Sequence, residues 1–151
     1  MKYIAHRGLL NGPDPEKENT PEQITLALAE GFDVEVDVWW VNGHWWLGHD
    51  EPKHQTSLSF LRTKGLWIHC KNTEALVRLS DTRLHYFWHQ TDCYTLTSKA
   101  VPWVYPGKPL FENAVCVMPE ETMDLSETKH LKVYGICSDY IQEILKIRNL
   151  T

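Results

Sequence analysis

The stretch Phe32-Asp33-Val34-Glu35-Val36-Asp37-Val38 alternates apolar and acidic residues. A period of two predicts a β-strand, with the valines on one face and the carboxylates on the other. Asn42-Gly43 follows between two aromatic-rich arms and is a strong hairpin-turn signal. This segment therefore predicts a strand that continues into a hairpin and presents a purely acidic face.

On either side of this segment, short apolar runs alternate with helical patterns. Thr20-Pro21 has the form of a helix start and Gly31 that of a helix end. Further strands are predicted at Tyr3–Ala5, Leu66–Lys71, His85–His89, Trp103–Tyr105, Ala114–Met118 and Val133–Cys137, and helices at Ser57–Arg62, Glu74–Leu79 and from Ile141 to about Leu150. Such alternation predicts a parallel α/β sheet. Between Gln90 and Pro119 no helical pattern is present, so the connections there are expected to be loops or single turns.

The composition limits the classes of protein. The 151 residues predict one domain, 1–151, and the 42% hydrophobic content is sufficient for a core. A net charge of −5 without a Lys/Arg block argues against nucleic-acid binding. No apolar run approaches the ~20 residues of a membrane span, and the N-terminus does not resemble a signal peptide. The four cysteines form no CxxC motif and are expected to be free. We expect a cytoplasmic protein without stable membrane insertion.

Polar motifs stand where the predicted strands end. They are His6-Arg7-Gly8, Glu18-Asn19-Thr20, Glu35-Val36-Asp37 and His49-Asp50. Glu35 and Asp37 are two residues apart on a strand, so both point the same way, and two close carboxylates repel unless a cation or a proton lies between them. Because the valines already form the packing face, we favour metal binding, and oxygen ligands suit Mg²⁺ or Ca²⁺. The alternative is a solvated strand face.

The remaining polar residues suit acid–base and phosphate chemistry. His6 and His49 are candidates for a general acid and a general base, since histidine titrates near neutrality. Arg7 offers a bidentate fork for phosphate oxygens, unless it forms a surface salt bridge with Glu18 or Asp50. Lys71 is expected to neutralise phosphate or to pair with Glu35; otherwise it is an exposed lysine at a strand end.

With these motifs in this order, the chain resembles the glycerophosphodiester phosphodiesterase family. The resemblance covers the first third closely, continues weakly at Ile68–Lys71 and returns at Gly135–Tyr140. It implies a TIM-barrel fold, a divalent metal held by Glu35 and Asp37, and His6 and His49 as the acid/base pair. It also implies that Arg7 clamps the phosphate and that Lys71 steadies it. Since the chain is far shorter than the ~250 residues typical of such barrels, we expect an α/β fold, a reduced (β/α)8-like barrel with several outer helices shortened or missing.

His69 stands where that family places a third carboxylate ligand. If its strand face looks into the barrel, His69 approaches Glu35 and Asp37 and becomes a metal ligand. An imidazole in place of a carboxylate makes Mn²⁺ or Zn²⁺ possible beside Mg²⁺ or Ca²⁺. The alternatives are that His69 only hydrogen-bonds a carboxylate, or that it is packed with no metal nearby.

The function predicted from these residues is metal-assisted hydrolysis of a small phosphodiester. A glycerophosphodiester-like substrate would yield an alcohol and a phosphomonoester by His/His acid–base catalysis. Two alternatives remain open: a lyase that forms a cyclic phosphate, and a non-catalytic phosphate-binding module. Retention of both His6 and His49 argues against the module, because binding alone needs no acid/base pair. The expected partner is a small-molecule phosphodiester, and the sequence does not indicate an oligomeric state.

Overall fold

The computed structural model of the chain describes residues 1–150, which form ten strands, four α-helices and two 3₁₀ turns. The strands are β1 (Lys2–His6), β2 (Asp33–Val41), β3 (His44–Leu47), β4 (His54–Thr56), β5 (Leu66–Cys70), β6 (Tyr86–Trp88), β7 (Tyr94–Leu96), β8 (Pro102–Val104), β9 (Val115–Val117) and β10 (Gly135–Ser138). The helices are α1 (Pro21–Ala29), α2 (Leu58–Leu61), α3 (Thr73–Ser80) and α4 (Ile141–Asn149), and the 3₁₀ turns are Pro119–Glu121 and Leu125–His130.

All ten strands belong to one mixed sheet that curls into a half-barrel. Seven run parallel in the spatial order β6-β5-β2-β1-β10-β9-β8. The second half of β2 leaves this parallel set and pairs with β3, which in turn pairs with β4, both antiparallel. The turn between β2 and β3 has positive φ at Asn42 (51°) and Gly43 (83°), as a two-residue hairpin turn requires.

The prediction of a reduced (β/α)8 barrel is wrong. Helices cover only part of the sheet, and β7 pairs antiparallel with β8. The connection between these two strands is only the five residues 97–101, which can join antiparallel neighbours but cannot make a parallel crossover. From β8 to β9 the chain crosses over without a helix, through a segment that contains Pro106, Gly107 and Pro109. The prediction that loops or single turns make the connections between Gln90 and Pro119 is therefore confirmed. Because this segment has no helical pattern, no outer helical layer forms beside β7, β8 and β9.

The two faces of the sheet form two separate cores. The outer face of β2, with Val34, Val36 and Val38, packs in the larger core together with α1, α3 and α4. The concave inner face carries a smaller cluster composed of Ile4, Trp67, Phe87, Trp103, Val115, Val117 and Cys137. The rings of Phe87 and Trp103 lie 4.7 Å apart, and those of Trp67 and Trp103 lie 5.8 Å apart. Large aromatic side chains therefore fill the concavity beneath the C-terminal strand ends.

The parallel register brings polar residues of β1, β2 and β5 together at the C-terminal ends of these strands. His6 is opposite Glu35, and Asp37 is opposite His69. Phe87 is the partner of His69 on β6, and the two rings stack at 5.1 Å and 7°. Because side chains alternate along each strand, the residues two positions beyond the apolar cluster face the same concavity. The aromatic cluster is thus the floor of a polar site.

The cysteines are all free. Cys70, Cys116 and Cys137 are buried, whereas Cys93 is exposed. Burial raises the pKa of the Cys70 and Cys116 thiols to about 12, so both stay protonated at neutral pH. Within residues 1–150, no helix has both the length and the apolar character needed to cross a membrane.

Candidate active site

A buried carboxylate pair on β2 is the centre of the site. The Glu35 and Asp37 residues are 2% and 1% exposed. Burial and the charge of Asp37 raise the pKa of Glu35, even though His6, His69 and Arg7 oppose this shift. Burial acts on Asp37 in the same direction, but the hydrogen bond and charge of His69, with Lys71 and Arg7, outweigh it and lower the pKa of Asp37. Without a bound cation, Asp37 is therefore the ionised member of the pair, and Glu35 is the member whose pKa is raised.

His69 contacts both carboxylates through one ring nitrogen. Its Nδ1 lies 3.0 Å from Asp37 Oδ1 and 3.7 Å from Glu35 Oε1, and its Nε2 lies 2.9 Å from the carbonyl oxygen of His89. Both nitrogens thus face acceptors, and a neutral ring can donate to only one of them. Burial lowers the pKa of His69, but the hydrogen bond and charge of Asp37 and the charge of Glu35 raise it overall. The geometry therefore favours the protonated form of His69, which donates from Nδ1 to Asp37 and from Nε2 to the carbonyl oxygen of His89.

The same geometry fits a divalent cation. Glu35, Asp37 and His69 each offer one ligand atom, and the three atoms lie within 4.8 Å of one another. A metal-ligating histidine commonly donates its other N–H to a carbonyl, as Nε2 does here to His89. A cation would replace the Nδ1 proton and would offset the repulsion between two buried carboxylates. The structure therefore brings together the three residues that were predicted as metal ligands.

Two cations and an amide surround Asp37. Arg7 Nε lies 3.3 Å from Asp37 Oδ2, and Lys71 Nζ lies 3.5 Å from Asp37 Oδ1. Arg7 Nη1 also donates to Glu18 Oε2 at 2.9 Å. Asn19 Nδ2 donates to Asp37 Oδ2, and Asn19 Oδ1 accepts from Asp37 N, both at 2.9 Å. Arg7 Nε is buried close to Asp37 without forming a hydrogen bond, so Glu18 fixes the guanidinium by a hydrogen bond and Asp37 holds it by charge.

The backbone on either side of this cluster is strained. Arg7 and Asn19 both adopt left-handed conformations, with φ of 52° and 56°. The Asn19 N–H donates to the Arg7 carbonyl at 2.9 Å, which ties the two strained residues together. Non-glycine residues in this region cost of the order of 1 kcal/mol each and are found where a site requires a fixed direction. The Glu18-Asn19-Thr20 motif thus positions Arg7 and Asp37 as well as starting α1.

His6 is oriented by a chain of hydrogen bonds from β10. Its Nδ1 lies 2.8 Å from Asp139 Oδ1, and its Nε2 lies 3.9 Å from Glu35 Oε2. The Asp139 N–H donates to Glu120 Oε1 at 2.9 Å, and the Ser138 hydroxyl donates to both Glu120 oxygens. Burial lowers the pKa of His6, but the hydrogen bond to Asp139 and the charge of Glu35 raise it overall. His6 is therefore held as a proton donor whose Nε2 is directed toward the carboxylate pair.

His49 occupies the rim rather than the floor. Its Nδ1 lies 2.7 Å from Asp50 Oδ1, and its side chain is 35% exposed. Burial lowers the pKa of His49, and the positive charges of Arg7 and Lys71 add to this effect, although Asp37 opposes it. At neutral pH His49 is thus a neutral imidazole. The two predicted acid/base residues are therefore shifted in opposite directions, as an acid and a base require.

A cavity of about 320 Å³ joins these side chains, and we call it the site cavity. Its lining includes six of the seven predicted site residues, namely His6, Arg7, Glu35, Asp37, His49 and His69. Lys71 lines an adjoining cavity of about 240 Å³ that shares His49 and His69 with it. A larger groove of about 710 Å³ lies on the outside between the β2–β3 hairpin and α3. Its charged residues, however, are not buried and do not form a cluster. The smaller cavity is the better candidate, because perturbed ionisable groups converge there.

Several residues of the site were not predicted as members of it. Glu120 follows β9 and Asp139 follows β10. This position shortly after a strand is the feature of the sequence that could have identified both as site residues. Asn19 belongs to a motif noted in the sequence, but its bridge to Asp37 depends on the packing of the loop against β2. His89 has the same strand-end position as His6, and it lines both cavities.

Gly48 lies directly before His49 in a backbone conformation that favours glycine, and its replacement is expected to destabilise the protein. Its φ is +147°, and a Cβ at this position would lie 2.1 Å from the Glu51 carbonyl oxygen. We expect Gly48→Ala to lower the free energy of unfolding by about 1–3 kcal/mol in a denaturant titration. Gly31→Ala is the control, because Gly31 also has positive φ but a Cβ there meets nothing within 4 Å. If both variants lost the same free energy of unfolding, the close approach of the Glu51 carbonyl to Gly48 would not matter for stability.

We compared the chain with protein-family models, curated proteins and solved structures, and none of the three comparisons gave a match. The resemblance to glycerophosphodiester phosphodiesterases therefore stays a prediction from short motifs.

Proposed function

We propose that this protein is a metal-assisted phosphodiesterase that hydrolyses a small, glycerophosphodiester-like substrate. The observation that carries the proposal is the convergence in one cavity of Glu35, Asp37 and His69 with two oppositely tuned histidines. A buried carboxylate pair alone would support cation binding. The added acid, base and guanidinium are what cleavage of a phosphodiester requires.

Each side chain has a defined task in this proposal. Glu35, Asp37 and His69 hold the divalent cation, which when bound supplies a Lewis acid for the non-bridging phosphate oxygens. Arg7 directs its guanidinium toward a phosphate oxygen, and Glu18 fixes that group through Nη1. Lys71 contributes a second positive charge from the neighbouring wall. Arg7 and Lys71 thereby offset the charge that develops on the phosphoryl group.

The two histidines divide the proton transfers. His49 is neutral at pH 7 and lies at the rim, where solvent enters, so it takes the proton of the attacking water. His6, whose pKa is raised and whose Nε2 is directed inward, acts in its protonated form and gives its Nε2 proton to the leaving alkoxide. Asp139 holds the His6 ring through Nδ1 and stabilises its charged form. Each histidine returns to its starting state after product release by exchange with water.

The experiment that tests this function is a phosphodiester screen. The protein is incubated with bis(4-nitrophenyl) phosphate and with glycerophosphodiesters, in the presence of Mg²⁺, Ca²⁺, Mn²⁺ or Zn²⁺. Phosphorus NMR of the products separates a phosphomonoester, which supports hydrolysis, from a cyclic phosphate, which supports the lyase. Phosphate binding without turnover of any diester would instead support the non-catalytic module and overturn the proposal.

The opposite pKa shifts predict the pH dependence of kcat/KM. His49 must be unprotonated, so the rate is lost as pH falls below its pKa, which is lowered from 6.5. His6 must be protonated, so the rate is lost as pH rises above its pKa, which is raised from 6.5. We expect a bell-shaped profile with its plateau spanning pH 6.5. Asp139→Asn should move the alkaline limb to lower pH and leave the acid limb in place; an unmoved alkaline limb would contradict the role of His6.

His69 is expected to set the metal preference. His69→Glu adds a third carboxylate, which favours hard cations, whereas the imidazole of the wild type favours Mn²⁺ or Zn²⁺. We expect calorimetric titrations to show that the variant gains affinity for Mg²⁺ and Ca²⁺ relative to Mn²⁺ by about tenfold. His44→Glu, an exposed change on β3, is the control for added charge. An unchanged metal ranking, or no metal binding by either form, would show that His69 is not a ligand.

A further inference from the structure

Glu120 is a half-buried carboxylate beside the site that has no task in the proposed reaction. Its Oε1 accepts the Asp139 N–H at 2.9 Å, and its two oxygens accept the Ser138 hydroxyl at 2.8 and 2.9 Å. Within residues 1–150 this carboxylate forms no ion pair, and it does not line the site cavity. Glu120 therefore reaches the site through the end of β10 and not by contact with a substrate.

The backbone after β9 places Glu120 beside β10. Met118 adopts a left-handed conformation, with φ of 46°, and its N–H donates to the Cys137 carbonyl oxygen at 2.8 Å. The 3₁₀ turn Pro119–Glu121 follows at once. A non-glycine residue in the left-handed region is strained, and it persists only where the surrounding structure fixes it. The strained turn thus holds the Glu120 carboxylate against Ser138 and Asp139.

The backbone of Asp139 is held on both sides. Its N–H donates to Glu120, and its carbonyl oxygen accepts the Gly12 N–H at 2.9 Å. The Asp139 carboxylate in turn lies 2.8 Å from His6 Nδ1. Because a short aspartate side chain follows its own backbone closely, these two hydrogen bonds decide where the carboxylate meets the imidazole. Without Glu120, only the bond from Gly12 would remain.

A negative charge at position 120 is unfavourable for the fold. Burial raises the pKa of Glu120, and the charge of Asp139 adds to this effect, although the hydrogen bonds that Glu120 accepts oppose it. A glutamine would fill the same space without repelling Asp139. Groups whose burial and charge are unfavourable are characteristic of functional sites. What the charge contributes is a stronger hydrogen bond to the Asp139 N–H than a neutral acceptor would form.

We propose that Glu120 is a positioning residue that fixes Asp139 and, through Asp139, keeps His6 Nδ1 bonded and His6 Nε2 directed toward the carboxylate pair. The effect of Glu120 on turnover rests on the proposed function, whereas its effect on the His6 ring does not. Proton transfer to the leaving group depends on the direction of Nε2. Loss of Glu120 therefore impairs the acid and leaves the metal ligands and the base in place.

The first test follows His6 directly, without metal or substrate. The imidazole nitrogen signals of His6 are measured by NMR in the wild type and in Asp139→Asn, which removes the carboxylate partner. We expect the Nδ1 signal in Glu120→Ala to move toward its position in Asp139→Asn. It should move in the same direction but less in Glu120→Gln, whose amide oxygen still accepts the Asp139 N–H. An unchanged Nδ1 signal in both Glu120 variants would overturn the proposal.

Asp124→Ala is the matched control for Glu120→Ala. Asp124 is an exposed carboxylate that accepts the Ser126 N–H at 2.8 Å at the start of the neighbouring 3₁₀ turn, outside the site cavity. Its replacement removes the same kind of hydrogen bond and should leave the His6 signals in place. An equal movement of the Nδ1 signal in Asp124→Ala would overturn the proposal, because general loosening of this region would then explain it.

Stability distinguishes positioning from a purely structural role. Because Glu120→Gln removes the repulsion with Asp139, we expect this variant to be at least as stable as the wild type in a denaturant titration. Its kcat on bis(2,3-dihydroxypropyl) phosphate should nevertheless fall by up to about tenfold, since a neutral hydrogen bond replaces a charge-assisted one. The same variant covers the case in which Glu120→Ala does not fold. A loss of stability in Glu120→Gln without a change in the His6 signals would assign Glu120 to the fold alone and overturn the proposal.

A comparison of two leaving groups separates this inference from the proposed function. Glu120→Ala should lower kcat by about 10–100-fold on bis(2,3-dihydroxypropyl) phosphate, the scale of a lost hydrogen bond to a charged group. The loss should be much smaller on bis(4-nitrophenyl) phosphate, whose leaving group needs no proton. Equal losses on the two diesters would retain the phosphodiesterase and overturn the positioning role. Movement of the His6 signal without turnover of either diester by the wild type would retain the positioning role and overturn the phosphodiesterase.

Discussion

His6→Ala is expected to lower kcat by about 10²–10⁴-fold on a phosphodiester with an alkyl leaving group. The variant removes the inward-facing proton donor, and the Asp139 carboxylate that orients it is left without its partner. The alkoxide must then leave without protonation. The loss should be much smaller on bis(4-nitrophenyl) phosphate, because nitrophenolate is a weak base that departs without a proton. Comparison of the two substrates therefore tests proton donation in particular.

His44→Ala is the control for His6→Ala, since His44 is an exposed histidine on the hairpin. Thermal melts of both variants show whether a loss of activity reflects unfolding. An equal loss on the two substrates would assign His6 to positioning or binding instead of proton transfer. Near wild-type rates on both would remove His6 from the mechanism.

Asp37→Asn is expected to abolish metal binding at working concentrations and to reduce turnover to background. The variant keeps the shape of the side chain and an oxygen for Asn19, but it removes the charge that faces Arg7, His69 and Lys71. We expect metal affinity to fall by at least about 10²-fold in calorimetric titrations, because losing even an outer partner of a metal ligand costs about 10–100-fold. High metal concentration should recover part of the activity.

Asp33→Asn is the matched control for this variant. Asp33 lies on the same face of the same strand, but it pairs with Lys2 at 2.9 Å and with the Trp67 indole at 3.1 Å, outside the site cavity. Its replacement should leave metal affinity unchanged. Equal effects of the two variants would show that general negative charge on the strand, and not a ligand set, attracts the cation.

The sequence by itself determined the local features of the site. The alternation in Phe32–Val38 places Glu35 and Asp37 on one face and the valines on the other, because successive side chains of a strand point in opposite directions. Asn42-Gly43 determined the hairpin, since both residues accept positive φ. Thr20 and Ser57 determined the starts of two helices, where each hydroxyl accepts a backbone N–H, at Gln23 and at Phe60. These are short-range effects, and a single segment contains all their causes.

The tertiary structure alone decided how those segments meet. The prediction of a (β/α)8 barrel failed because strand order and direction depend on crossovers between distant segments, and the five-residue connection after β7 forces an antiparallel pair. Register decided that His69 stands opposite Asp37, and a shift of one residue would have turned it to the outer face. Likewise, Asp139 reaches His6 across 133 positions of sequence only because β10 lies beside β1. Hydrogen-bond partners of this kind are set by packing between strands, which no local pattern in the sequence specifies.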